Sequence, residues 1–191
     1  MKIGLFFGSF NPIHVGHMVI ANYMVEFTDL QKIWFVVSPH NPLKEKKSLL
    51  FHLHRLALVN EAIGDDDRFK PSDIEFHLSQ PSYTANTLAV LYDKYPEHEF
   101  GLIMGSDNLS SLSKWKNYEV LLQNHDLYVY PRKADEGGAF RSHPRVKWTE
   151  APMVEISSTF LRKALQEKRD VQHFIPAAAY KYIREMHFYE K

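Results

Sequence analysis

Residues 3–22 read IGLFFGSFNPIHVGHMVIAN, and this stretch decides how the chain folds. The apolar run 3–7 is typical of a buried parallel strand, and Gly8 ends it. A helical pattern begins about four residues later, where Asn11 is a good N-cap residue and Pro12 fits the first helical position. Apolar residues then recur at helical spacing, namely Met18, Ala21 and Val25. The sequence therefore predicts a strand, a glycine turn and a helix in direct succession.

The junction between this strand and this helix predicts an anion-binding site. Free backbone N–H groups and the positive end of the helix dipole converge at such a turn. His14 and His17 are three residues apart, so we expect both imidazoles on one helix face, and Gly16 leaves room for a ligand. We interpret the stretch as a polyphosphate site. A zinc pair is disfavoured because the chain has no cysteine and no third ligand at a suitable spacing.

Composition narrows the classes of function. Lys and Arg together number 23, as do Asp and Glu, so no overall field attracts nucleic acid or a membrane surface. The absence of cysteine fits a reducing compartment, and neither a signal peptide nor an apolar run of membrane-spanning length is evident. We expect a cytoplasmic protein that binds neither nucleic acid nor membranes and holds anionic substrates by local positive charge. Monomer and homo-oligomer both stay open.

Strands and helices alternate along the rest of the chain. Further strands are predicted over 32–37, 68–75, 99–104, 127–130 and 146–149, with Pro71 indicating a bend or an edge position in the sheet. Further helices are predicted over 51–63, from 82–84 to Pro96, over 160–168 and over 176–186, with Leu53, Leu56 and Ala57 as the apolar positions of the first. This alternation predicts a Rossmann-like, doubly wound α/β fold, with a mainly parallel sheet and helices on both faces. We expect one domain over 1–191, with a small helical part at about 157–191.

A second cluster of phosphate-binding residues is predicted near the chain's other end. Ser157 and Ser158 come at the start of a helix, and Arg162 follows one turn later. Hydroxyls, helix N–H groups and a guanidinium at one helix start form a phosphate clamp. The alternative is a plain serine cap with an exposed arginine.

Four residues are candidates for holding a second substrate. Lys44 follows a predicted strand in a basic loop, at the edge where open α/β sheets bind ligands. Ser82 or Thr84 can cap a helix whose N–H groups would suit a carboxylate. Asp107 follows a second strand-to-helix turn, Gly105-Ser106, and is either a helix cap or an acceptor for a ribose hydroxyl. Trp115 either stacks on a flat ring or belongs to the core.

Taken together, the motifs resemble a known group of enzymes. Residues 8–17, Gly-Ser-Phe-Asn-Pro-Ile-His-Val-Gly-His, resemble the mark of the His-x-Gly-His nucleotidyltransferase superfamily. Pro-Ser-Tyr-Thr at 81–84, Gly-Ser-Asp at 105–107 with Trp115, and 156–162 extend the resemblance to bacterial nicotinate-nucleotide adenylyltransferases. That family makes deamido-NAD and pyrophosphate from ATP and nicotinate mononucleotide.

The resemblance implies a role for each matching residue. The positions implied for ATP are Gly8, Ser9, Phe10, His14, His17, Gly105, Ser106, Ser157, Ser158 and Arg162, of which His14, His17 and Arg162 act in the transfer itself. The positions implied for nicotinate mononucleotide are Lys44, Thr84, Asp107 and Trp115. Mg²⁺ is expected to be carried mainly by the ATP phosphates, without a dedicated protein site. Two departures are Phe7, where many relatives have glycine, and Lys116, where an aromatic residue often follows the tryptophan.

Two other functions stay open at this point. One is a sister adenylyltransferase whose acceptor is nicotinamide mononucleotide or phosphopantetheine. The other is a nucleotide sensor without catalytic activity.

Overall fold

The computed structural model describes residues 1–39, 49–133 and 135–190. Its centre is a six-stranded sheet in which every neighbouring pair of strands is parallel. The strands are β1 (Lys2–Gly8), β2 (Lys32–Val37), β3 (Phe69–Ser72), β4 (Glu99–Gly105), β5 (Leu127–Tyr130) and β6 (Val146–Trp148). Their order across the sheet is β3-β2-β1-β4-β5-β6, the order of doubly wound folds. The predicted Rossmann-like architecture is confirmed.

Helices cover both faces of this sheet. They are α1 (Val15–Phe27), α2 (His52–Ile63), α3 (Thr84–Lys94), α4 (Ser106–Ser110), α5 (Tyr118–Asn124), α6 (Ser158–Gln166) and α7 (Ala177–Glu185). Helices α1, α2, α6 and α7 pack on one face, and α3, α4 and α5 pack on the other. Within the described residues, none of these helices combines the length and apolar character needed to cross a membrane.

The continuous apolar runs follow from this layering. Successive side chains of a strand point to opposite faces, so Phe6 of β1 joins the core beneath α1, whereas Ile3 and Leu5 join the opposite core. Each fully buried Leu or Ile side chain stabilises the fold by about 1.5–3 kcal/mol. Because both faces are covered, the inner strands need apolar residues at nearly every position.

The first helix begins later than predicted. Its N-cap is His14 rather than Asn11, and α1 starts at Val15. The peptide bond between Asn11 and Pro12 is cis, and Phe10 has a φ of 43°, so the chain bends once more before the helix. The prediction was wrong because Asn and Pro favour turns as well as helix starts.

The buried face of α2 also differs from the prediction. Its buried residues are Arg55, Leu58, Val59 and Ile63. Leu53, predicted as an apolar position of this face, is 53% exposed. The sequence pattern was misread because an arginine occupies the first position of the buried stripe.

Two other boundaries need correction. Strand β3 ends at Ser72, and a 3₁₀ turn over Ile74–His77 follows, so the predicted strand over 68–75 was too long. Its position at the sheet edge is confirmed. Helix α3 has Tyr83 as its N-cap, and no side chain caps it, so neither Ser82 nor Thr84 has the predicted capping role.

Candidate functional site

Four of the predicted site residues lie at one edge of the sheet, where β1 and β4 end. These strands are direct neighbours, with Phe6 opposite Ile103. Helices α1 and α4 leave the two strand ends towards opposite faces. This is the topological switch point, where open α/β sheets bind ligands. Gly8 ends β1 and Ser9 follows it, and Gly105 ends β4 and Ser106 follows it.

The two histidines stack on each other at the start of α1. Their ring centroids are 3.7 Å apart and the ring planes differ by 26°. The backbone N–H of His14 donates to Nδ1 of His17, with an N···N distance of 3.2 Å. Because Nδ1 of His17 accepts, the proton of its neutral ring is on Nε2, which makes Nε2–H the ring's donor. The prediction that both imidazoles lie together is confirmed.

His14 is held in its neutral form. It is 6% exposed, and its Nδ1 is buried without a hydrogen-bond partner among the described residues. Burial, together with the positive charge of Arg132, lowers the pKa of His14 to about 4. A bound anion would favour the protonated ring, so a phosphate is a ligand that suits this position.

The start of α6 bonds directly to the turn that precedes the histidines. Ser158 Oγ donates to the carbonyl of Pro12 at 2.9 Å, and Arg162 Nη1 donates to the carbonyl of Asn11 at 2.8 Å. These contacts join residues 146 and 151 positions apart. The structure thus brings together the two predicted phosphate-binding motifs.

Three predicted ATP-binding side chains are engaged within the protein. Ser157 Oγ accepts the N–H of Phe160 and caps α6, as the alternative interpretation of this serine proposed. Ser106 is fully buried, and its hydroxyl accepts the N–H of Arg132 at 2.9 Å. The ring of Phe10 is 2% exposed and lies so close to Gly8 that a Cβ there would be 2.8 Å from it. Contacts of these residues with ATP stay a prediction.

Arg132 is a candidate that sequence reasoning missed. It lines the same crevice as His14 and His17. Its guanidinium carbon is 5.2 Å from the ring centroid of Tyr130, and its Nε is 4.0 Å from Oδ1 of Asp107. The available signal was its place two residues after β5, at the carboxyl edge of the sheet.

Two of the candidates for the second substrate, Thr84 and Trp115, lie at or near the start of α3. Thr84 is the first residue of this helix, whose N-terminal N–H groups have no side-chain cap. The ammonium of Lys116 is 4.5 Å from the ring centroid of Tyr83, so the start of α3 lies beside Trp115 and Lys116. Trp115 is half-buried and packs partly on the core, which leaves both predicted roles for it standing.

Two of these candidates are placed differently. Asp107 is exposed in the first turn of α4, whose N-cap is Gly105, so Asp107 is not the helix cap that was one of its predicted roles. Its carboxylate instead faces Arg132. Lys44 lies outside the described residues, and its contact with a phosphate stays a prediction.

Known proteins resemble the chain over most of its length. A family model described as cytidylyltransferase-like matches residues 5–164. A curated relative from Flavobacterium johnsoniae, named "probable nicotinate-nucleotide adenylyltransferase", is 56% identical over 193 residues, covering 100% of both chains. A relative of the same name from Bacteroides thetaiotaomicron is 43% identical, covering 97% of this chain and 92% of its own.

A solved structure shares the fold. It is that of Plasmodium falciparum nicotinic acid mononucleotide adenylyltransferase complexed with NaAD, with a TM-score of 0.82. The match covers 99% of this chain and 97% of that one at 20% identity. At this identity, the likeness supports the architecture alone.

Proposed function

The chain belongs to the cytidylyltransferase-like family, among its nicotinate-nucleotide adenylyltransferases, and from this premise we propose that it transfers AMP from ATP to nicotinate mononucleotide. The products are deamido-NAD and pyrophosphate, which makes the reaction a step of NAD biosynthesis. One structural observation carries the proposal. Ser158 and Arg162 of α6 bond to the turn that leads into His14 and His17, so groups from both ends of the chain meet at this turn.

The chemistry needs positioning more than proton transfer. The phosphate of the acceptor is already an anionic nucleophile, so no general base is required. One of its oxygens attacks the α-phosphorus of ATP in line, and a new P–O bond forms. The bond from the α-phosphorus to the oxygen shared with the β-phosphorus breaks, and pyrophosphate leaves with the electron pair. The barrier lies in bringing two anions together and in stabilising the charge that develops, as in other phosphoryl transfers.

The residues of α1 and α6 supply this stabilisation. His17 donates from Nε2 and His14 from its buried ring to oxygens of the α- and β-phosphates. Arg162 uses one N–H on the Asn11 carbonyl and keeps other donors of its planar guanidinium for the leaving pyrophosphate. Ser158 stands beside it, and Arg132 adds a second positive charge at the same crevice.

Mg²⁺ enters the proposal as an ion carried by the substrate. In the ranges 1–39, 49–133 and 135–190, no group of three or more His, Asp or Glu side chains is arranged to hold a metal ion. The donors at the crevice are N–H groups and guanidinium groups, which suit phosphate oxygens rather than a cation. We infer that Mg²⁺, when bound, would be held by phosphate oxygens and water and would supply positive charge beside the leaving group.

The second substrate is assigned to the start of α3. A nicotinate carboxylate only accepts hydrogen bonds, so the uncapped N–H groups of α3 and the ammonium of Lys116 suit it. An amide would place its own N–H groups against these donors. Trp115 would stack on the pyridine ring, Asp107 would accept from a ribose hydroxyl, and Lys44 would contact the phosphate.

The test is a product assay with an acceptor panel. Purified protein is incubated with ATP, Mg²⁺ and either nicotinate mononucleotide, nicotinamide mononucleotide or phosphopantetheine, and products are identified by mass. We expect deamido-NAD and equimolar pyrophosphate, with the acid preferred. Preference for another acceptor would identify a sister transferase, and ATP binding without pyrophosphate release would identify a sensor.

Two further inferences concern organisation. Helices α6 and α7 share one core with α1 and α2, which supports a single domain over residues 1–191. A cytoplasmic location fits an enzyme that consumes ATP.

A further inference from the structure

Arg55 of α2 is the largest fully buried side chain of the described residues. Among the described residues, the partners of its guanidinium are backbone carbonyls. Nε donates to Leu50, Nη1 to Ser9 and Ser38, and Nη2 to Pro39, at 2.5–2.9 Å. These four carbonyls come from three separate segments of the chain, and the planar guanidinium of Arg55 bonds to all of them.

Within the described part of the chain, no carboxylate forms an ion pair with Arg55. Burial lowers its pKa to about 10, so the group stays protonated at neutral pH. A buried charge is costly unless it is fully hydrogen-bonded, and a well-packed apolar residue is often at least as stable there. Stability alone is therefore a weak reason for an arginine at this position.

The three segments are those that must be aligned for the reaction. Ser9 belongs to the turn after β1 that leads to the histidines. Ser38 and Pro39 follow β2, and Leu50 precedes α2, so in sequence they lie on either side of Lys44, the proposed contact of the acceptor phosphate. The N–H of Leu50 also donates to Oδ1 of Asn11 at 3.1 Å. Leu50 is thus held through both its backbone groups, once by Arg55 and once by the turn itself.

We propose that Arg55 is a positioning residue that fixes the segment after β2 and the segment before α2 against the ATP-side turn, because its single guanidinium bonds to Ser9, Ser38, Pro39 and Leu50. This inference rests on the proposed adenylyl transfer. Arg55 touches neither substrate. It sets the distance and the angle between the acceptor phosphate and the α-phosphorus, on which the rate of an in-line attack depends.

The test uses two variants and a matched control. Arg55→Met removes the charge and the fork, and Arg55→Lys keeps the charge but replaces the planar fork with a single ammonium. Leu58→Ala, in the same helix and equally buried, loses packing without touching these carbonyls. For each variant, kcat and KM are measured with nicotinate mononucleotide, ATP affinity is measured by calorimetry, and amide exchange of Leu50 is measured without substrates.

We expect Arg55→Met to lower kcat/KM for the acceptor by about 10²-fold, with nearly unchanged ATP affinity. Arg55→Lys should recover part of this loss, and Leu50 should exchange faster in both variants. Leu58→Ala should unfold more easily while its folded fraction keeps normal kinetics. If Arg55→Met does not fold, the same measurements on Arg55→Lys test the proposal.

The proposal is overturned if the Arg55 variants show only the lowered stability of Leu58→Ala, or if ATP affinity falls as much as acceptor kcat/KM. Unchanged exchange at Leu50 overturns it as well. Because amide exchange is measured without turnover, it judges Arg55 even if the wild-type protein makes no deamido-NAD, which would refute the proposed function instead.

Discussion

The two halves of the crevice are built in different ways. The nucleotide half consists of the turn 8–12, the start of α1 and the start of α6, and its members already bond to one another. The acceptor half consists of the start of α3, Asp107, and the pair Trp115 and Lys116. In that half, the Lys116 ammonium lies over the Tyr83 ring, Asp107 approaches Arg132 at 4.0 Å, and Thr87 of α3 donates to the buried Glu75.

This difference indicates when the binding residues of each half become ordered, during folding or on substrate binding. In the nucleotide half, the donors are fixed during folding, so ATP meets a preorganised site. In the acceptor half, the residues proposed to contact the acceptor lie on separate elements. We expect the acceptor to order these residues when it binds. We therefore expect mutations in the first half to act mainly on kcat, and those in the second to act mainly on acceptor KM.

The largest effect is expected from His17→Ala. Loss of a preorganised donor to the developing charge should lower kcat by about 10²–10³-fold, with little change in the KM for ATP. Steady-state kinetics measure this, and His77→Ala, which alters an exposed histidine of the 3₁₀ turn, is the control. Near-normal turnover of His17→Ala would show that His17 has no role in the transfer. It would also contradict the expectation that mutations in the nucleotide half act mainly on kcat.

The burial of His14 in the nucleotide half should also make the free energy of unfolding depend on pH in the acid range. His14 has a folded-state pKa of about 4, below its ordinary value of 6.5, so between these values the unfolded chain binds more protons. The stability that a neutral His14 confers is complete above pH 6.5 and falls as the pH drops towards 4. At pH 5 the loss is about 2 kcal/mol.

Urea unfolding of wild type and His14→Gln at pH 7.5 and 5.0 measures this loss. The histidine-containing protein should lose more stability on acidification than the glutamine variant. Equal losses would mean that His14 is not buried in its neutral form in solution.

A smaller effect, confined to the acceptor, is expected from Trp115→Ala. Loss of ring stacking is worth about 1–1.5 kcal/mol, which raises the acceptor KM by roughly 5- to 13-fold and leaves ATP affinity unchanged. Trp115→Phe keeps an aromatic face and should restore most of the affinity. A parallel loss of ATP affinity would show that Trp115 supports the fold rather than the acceptor.

The smallest effect is expected from Lys116→Ala. The ammonium is exposed, and an exposed ion pair is worth at most about 1 kcal/mol, so the preference for nicotinate over nicotinamide mononucleotide should narrow by about two- to fivefold. Paired assays with both acceptors give the ratio, and Lys114→Ala in the preceding 3₁₀ turn is the matched control. An unchanged ratio would leave discrimination to the N–H groups of α3 alone.

The nucleotide half was also the more predictable from the sequence. Strand periodicity placed β1 and β4, and the rule for open sheets placed the turns after them at one edge. The spacing of His14 and His17 predicted their pairing, which the stacked rings confirm. Local rules were sufficient here because each motif is a continuous stretch of chain.

Features that depend on tertiary context were missed. The bend at Asn11 and Pro12 moved the helix start, because the same residue types serve turns and caps. Arg55 looks like a solvated residue in a helical pattern, and only the folded chain shows the carbonyls that surround it. Arg132 became a candidate only because β5 pairs with β4, which places the residues after β5 beside the crevice that contains the histidines.

The bonds from α6 to Asn11 and Pro12 have a consequence during translation. The histidines leave the ribosome first, whereas Ser158 and Arg162 follow about 150 positions later. Tyr189, whose hydroxyl donates to Oδ1 of Asn11, follows 178 positions later. A nascent chain therefore carries the turn and both imidazoles before it carries the side chains that bond to Asn11 and Pro12. We expect that fragments released before residue 158 neither bind ATP tightly nor hydrolyse it.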